Sequence, residues 1–171
     1  KIEQSSKANY EKSTNQLRLC FISRISPVKN LDLIIHTLYE LKNVLPNIYL
    51  DIYGPQEDKD YYYKCHKLIE TYNLENQIVY RSILRPENVG NTFKNYDFFV
   101  LPTKGENFCH AVFESLSVGT PVILSNTTFW NKFQAEKNWS FIFDLASKDA
   151  FHKVLKEAYI MNETAYKSMS Q

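Results

Sequence analysis

Glycine is scarce in this chain, with only Gly54, Gly90, Gly105 and Gly119 among 171 residues. None of them follows the first apolar run, where a dinucleotide-binding fold needs a glycine-rich turn so that its backbone can approach a pyrophosphate. That absence counts against an NAD or FAD site. Cysteine is also sparse: Cys20, Cys65 and Cys109 are unevenly spaced. An odd number without metal-type spacing reads as reduced thiols in a cytoplasmic protein. No charge sign dominates. The net charge of +1 leaves no basic excess for neutralising many phosphates, which excludes a dedicated nucleic-acid binder. No run approaches the roughly 20 apolar residues of a membrane span. The first sixteen residues hold neither a signal-peptide apolar core nor an initiator Met, so a cytoplasmic piece of a longer protein is expected. Three tripeptides, starting at Asn126, Asn138 and Asn162, match the glycan-acceptor pattern; in an Asn-rich chain without a secretion signal they read as chance.

What remains is an ordinary globular composition, 44% apolar, in a length that suits one domain or one lobe. Residues 1–15 are polar and aperiodic and read as a linker or arm; residues 16–171 read as the domain. Short apolar runs at 17–22, 48–53, 78–80, 96–101 and 122–124 have the character of strands buried on both faces, with a weaker one at 140–143. Between them lie helical stretches. Leu31, Ile34, Ile35, Leu38 and Leu41 recur at helical spacing behind Asn30, a candidate N-cap. Further helices are expected at about 59–72, from Pro86, at about 109–118 with Gly119 as its C-terminal stop, and from Lys148 onward. Alternation of this kind predicts an α/β fold, a Rossmann-like parallel sheet with helices on both faces.

Ligands of such sheets bind beyond the carboxyl ends of the strands. The loop after the first strand offers two cations, Arg24 and Lys29, which can neutralise a diphosphate without close backbone approach. Their spacing alone is equally that of two solvated surface charges. The loop after the fourth strand holds Glu106 and leads into a helix carrying Glu114. A helix N-terminus there is a ready anion site, and carboxylates beside it can accept hydrogen bonds from sugar hydroxyls. Glu106 as a mere stabiliser of the helix end is the competing reading. His110 and Cys109 stand at the same place. A helix N-terminus lowers a thiol pKa, but no partner base beyond His110 is evident, and no second ligand gives His110 metal spacing.

Taken in order, Arg24-Ile25-Ser26-Pro27-Val28-Lys29, Ile52-Tyr53-Gly54-Pro55, Leu101-Pro102-Thr103, Glu106-Asn107-Phe108 through Glu114, and Gly119-Thr120-Pro121 resemble the C-terminal domain of the group 1 retaining glycosyltransferases, which have the two-domain GT-B fold. Thr128-Phe129-Trp130 is similar to a stretch in their bacterial cell-surface polysaccharide members. The resemblance implies one lobe of such an enzyme, with a UDP- or GDP-sugar as donor and a glycan or lipid-linked acceptor. By it, Arg24 and Lys29 would hold the diphosphate and Glu114 the ribose. Glu106 would contact the transferred sugar, and the backbone from Asn107 through Phe108, Cys109 and His110 to Ala111 would face sugar and phosphates. Gly54 would be among the substrate-binding residues, and Leu84 would bring its backbone to the base. No metal or cofactor is implied. The partner would be an N-terminal acceptor domain of the same protein, through which alone any peripheral membrane association would come. The family usually has Gly where this chain has Asn30, Asn107 and Cys109. The Cys109 side chain would crowd a donor, so a non-catalytic sugar-nucleotide-binding domain is the alternative.

Overall fold

The computed structural model of the protein describes residues 10–106, 108–136 and 138–170. The strands β1 (Leu17–Ile22), β2 (Ile48–Tyr53), β3 (Ile78–Ser82), β4 (Phe98–Leu101), β5 (Val122–Ser125) and β6 (Ser140–Phe143) form one sheet in the order β3-β2-β1-β4-β5-β6. Every neighbouring pair is parallel. The expected Rossmann-like sheet is therefore present, including the weakly signalled sixth strand. All residues of β4 and β5 are buried, as continuous apolar strands covered on both faces require.

The helices are α1 (Leu31–Leu41), α2 (Lys59–Thr71), α3 (Pro86–Phe93), α4 (His110–Ser117), α5 (Ala150–Ile160) and α6 (Glu163–Met169). Leu31, Ile34, Ile35, Leu38 and Leu41 all face the core. Contacts of α1 with α2 and α5, and of α3 with α4, divide these five helices between the two faces, as right-handed crossovers on either side of β1 demand. Gly119, at φ 79°, ends α4. Its N–H bonds to Leu116 O at 3.0 Å and the Thr120 N–H to Ser115 O at 2.9 Å, the two bonds of a Schellman motif.

Several local expectations change. Asn30 occupies the N-cap position of α1 but makes no capping bond; its amide instead donates to Pro102 O at 3.0 Å. β4 begins at Phe98 rather than Tyr96, although the Asp97 N–H still donates to Arg18 O of β1 at 2.8 Å. Tyr96 donates to Asp51 at 2.6 Å, and Asp97 accepts from the Arg18 N–H at 2.6 Å and the Tyr10 hydroxyl at 2.8 Å. The C-terminal helical stretch is broken at Met161, after which Asn162 accepts from the Ala165 N–H at 2.9 Å and caps α6. A 3-10 helix over Phe129–Glu136 has no counterpart in the periodicity. Residues 1–9 of the expected arm lie outside the described residues, while Tyr10 and Lys12 pack on the domain.

Candidate functional site

The sheet order reverses between β1 and β4. From β1 the chain winds outward to β2 and β3, then crosses to β4 and continues the other way. A crevice must open beyond the carboxyl ends at such a switch point. Its two walls are stitched together. The Lys104 N–H donates to Val28 O at 2.8 Å, and the Thr103 hydroxyl to Val28 O at 3.1 Å and Gly105 O at 2.9 Å. The third loop joins through a backbone bridge between Glu106 and Thr128 and an indole N–H of Trp130 donating to Phe108 O at 2.5 Å.

Lys29 and Arg24 differ sharply. Lys29 ends a 3-10 turn, Pro27–Lys29, and is only 5% exposed. Its ammonium is ion-paired with the Glu106 carboxylate. A charge so buried persists only with a partner, so Lys29 is not a solvated surface cation. Arg24 is exposed and pairs with exposed Glu57, which no motif in the chain singles out. Such a surface pair contributes about 1 kcal/mol or less, which leaves Arg24 readily exchangeable between partners.

Cys109 is the N-cap of α4 at φ 51° and ψ 85°, a left-handed conformation costly for a residue with a Cβ. The glycine expected there by resemblance is explained by this backbone. The thiol also overturns the expectation of a lowered pKa. Burial pushes it up to about 11, the backbone bond from Val112 lowers it only in part, and Glu106 raises it further. Burial thus favours the neutral thiol at Cys109, which works against a nucleophilic role. His110 is exposed beside the Phe108 ring, centroids 5.3 Å apart, and Ala111 is half-buried. Glu114 lies exposed one turn into α4. Asn107 lies outside the described residues.

At the β2 end, Gly54 has φ 136°, and a Cβ there would stand 1.9 Å from Ser23 O. Only glycine lets these two backbones approach. The Tyr80 hydroxyl donates to Gly54 O at 3.0 Å, and half-buried Leu84 follows β3 nearby in the chain. Ser26 was not singled out from the sequence. It is 6% exposed, and its hydroxyl has no partner among the described residues, so a donor stands unspent in the loop between Arg24 and Lys29. Among the described residues no group of three or more His, Cys, Asp or Glu is placed to hold a metal ion, and no helix is long and apolar enough to cross a membrane.

This geometry meets an independent finding: the family model described as "Glycosyl transferases group 1" matches residues 3–171. The chain belongs to the group 1 glycosyl transferases. Among relatives, it is 24% identical over 129 residues to the GtfA subunit of a UDP-N-acetylglucosamine–peptide N-acetylglucosaminyltransferase from Streptococcus agalactiae, an alignment that covers 75% of this chain and 24% of that protein. It is 26% identical over 114 residues to Protein CapJ of Staphylococcus aureus, which covers 66% of this chain and 28% of that protein. The chain therefore spans about a quarter of the length of these relatives. In fold it is similar to Anabaena Alr3699/HepE, solved in complex with UDP and glucose, at TM-score 0.79 and 17% identity, covering 92% of this chain and 42% of that one. It is also similar to the C-terminal domain of the Francisella tularensis group 1 protein LpcC, at TM-score 0.78 and 14% identity, covering 99% of this chain and 86% of that one. The glycosyl transferase chain is thus the C-terminal, Rossmann-like lobe of a GT-B fold. Of the two carboxylates that carried the resemblance, Glu106 lies in the loop after β4, beside the switch point, and Glu114 on the helix that follows.

Proposed function

We propose that this lobe binds the donor of a retaining glycosyltransferase, a UDP- or GDP-sugar whose sugar passes to a glycan or lipid-linked acceptor. Lys29 and Arg24 hold the diphosphate, and the Ser26 hydroxyl adds a donor to it. Glu106 contacts the transferred sugar, Glu114 the ribose hydroxyls, and Gly54 with the backbone of Leu84 borders the base. The backbone from Asn107 through Phe108, Cys109 and His110 to Ala111 faces the sugar and phosphates.

The observation that supports this reading is the Lys29–Glu106 pair, a buried cation in contact with a carboxylate where the loops after β1 and β4 meet. As the donor bond breaks, negative charge grows on the departing diphosphate. A preformed cation in a site of low dielectric stabilises that charge more than water does, and the N-terminus of α4 adds its dipole. No resident metal or cofactor is called for. The acceptor comes to an N-terminal domain of the same protein, which is also the only route to peripheral membrane attachment. Catalysis on the cytoplasmic side fits reduced Cys20, Cys65 and Cys109.

The test compares uridine with UDP, and guanosine with GDP, by calorimetry on the wild type and on Glu114→Ala. Ribose recognition by Glu114 requires nucleoside and nucleotide to weaken by the same factor in the variant. Unchanged affinity for both removes Glu114 from the site.

A further inference from the structure

Phe108 lies within 6.5 Å, centroid to centroid, of the rings of His110, Phe113, Phe129 and Trp130. Phe133 extends the cluster, 5.4 Å from Phe129 and 6.1 Å from Trp130. Four of these side chains stand exposed: Phe108 at 42%, Phe113 at 56%, Phe129 at 39% and Phe133 at 38%. Folded proteins seldom leave contiguous apolar patches in water unless something binds there.

The cluster is fastened to the loop that carries Glu106. The Glu106–Thr128 bridge and the Trp130–Phe108 hydrogen bond fix its position relative to that carboxylate. Neighbouring phenylalanine and tryptophan rings are inclined to one another by 37° to 84°. They therefore offer short separate faces rather than the continuous wall that a helix or a second domain would cover. Three of the four exposed rings are also more than half sunk in the surface, so they offer set ring faces rather than protruding side chains. A pyranose fits such faces. Its axial C–H groups carry slight positive charge and stack on the negative face of an aromatic ring, while hydroxyls at its edge meet polar groups. His110 beside Phe108 and Lys132, 5.4 Å from the Phe129 ring centroid, supply donors at the rim.

We propose that Phe108, Phe113, Phe129, Trp130 and Phe133 form a carbohydrate platform on this lobe that receives a sugar ring of the acceptor next to Glu106. The proposal rests on the donor reading above, because an acceptor needs this position only if the donor sugar lies at Glu106. It assigns part of acceptor recognition to the donor-binding lobe and makes the acceptor a glycan at its reacting end.

The experiment is saturation-transfer NMR on this chain with maltotetraose, cellotetraose and chitotetraose. It is repeated on the double variant Phe129→Ala/Phe133→Ala, with UDP and GDP titrated in parallel and sedimentation with phosphatidylglycerol vesicles alongside. The expected result is binding of at least one oligosaccharide, weakened roughly tenfold by loss of two stacking faces, with nucleotide affinity within about twofold of wild type. Nucleotide binding without binding of any of the three sugars would overturn the platform alone. So would sugar binding that the double variant leaves intact, or vesicle binding that it abolishes. Sugar binding without either nucleotide would overturn the donor reading and with it the acceptor role of the platform, and absence of both ligand classes from the wild type would overturn both.

Discussion

Lys29 and Glu106 are 77 positions apart in the chain, yet they meet as an ion pair with side chains only 6% and 19% exposed. The two residues leave neighbouring strands, β1 and β4, on opposite sides of the point where the sheet reverses. Their pairing is a consequence of topology rather than of local sequence. It keeps a cation in a place where an isolated one would be expelled or neutralised.

Lys29→Met removes the buried cation from beside the Glu106 carboxylate, and loss of about 3 kcal/mol of stability is expected, as when one partner of a buried pair is removed. The double variant Lys29→Met/Glu106→Gln recovers most of that loss. UDP or GDP affinity falls about 10- to 100-fold in both, the loss of a charge-assisted hydrogen bond to phosphate. Thermal unfolding and calorimetry read the two effects separately; recovery of nucleotide binding in the double variant would deny Lys29 its phosphate role.

Gly54→Ala places a methyl group 1.9 Å from Ser23 O at a backbone φ of 136°. Neither backbone can yield without disturbing the β1–β2 ladder, so destabilisation by several kcal/mol is expected. Gly105→Ala, where a Cβ meets nothing within 4 Å, serves as the control. Chemical denaturation checks the difference, and equal midpoints would contradict it.

The Cys109 thiol, pushed up to about 11 by burial, is almost wholly protonated at neutral pH. Only the thiolate reacts. Its iodoacetamide labelling, followed by peptide mass spectrometry, should be slow at pH 7 and rise about tenfold per unit until pH approaches 11. Fast labelling at pH 7 would mean that the dipole of α4 outweighs burial after all.

Burial also raises the Asp97 carboxyl above the ordinary carboxylate value, against the lowering effects of the Arg18 N–H, Lys12, Tyr10 and the Arg18 charge; the Tyr166 hydroxyl donates to the backbone carbonyl of the same residue at 2.7 Å. A folded-state pKa above the unfolded one gives stability that is fully present below about pH 4 and is lost as pH rises through the folded value. Relative to Asp97→Asn, the wild type should therefore lose stability between about pH 4 and neutrality. A pH-independent difference in urea midpoints would show that the carboxyl does not titrate in that window.

Much of the fold was legible because it is written in local apolar runs. The strand at 17–22 and the helix from Leu31 have the observed bounds or nearly so, and Gly119 stops α4 as its position announced. The misses are tertiary. Nothing local tells that the Asn30 amide will prefer Pro102 O to capping its own helix, or that the Tyr96 and Asp97 side chains will reach Asp51 and the Arg18 N–H. Asn162, in a tripeptide that reads as a chance match to the glycan-acceptor pattern, caps α6. In the site, residue types named the candidates, but only three dimensions separated buried Lys29 from exposed Arg24, or showed the Ser26 hydroxyl without a partner. The aromatic cluster escaped notice because Phe108, Phe113, Phe129 and Phe133 have no common period.

The most direct measurement is calorimetric titration of this chain with UDP, GDP and NAD at fixed ionic strength. Saturable binding of UDP or GDP, weakened by added salt as a diphosphate contact must be, with no heat from NAD, is the expected result. Binding of NAD in place of both nucleoside diphosphates would contradict a nucleotide-sugar site at the switch point.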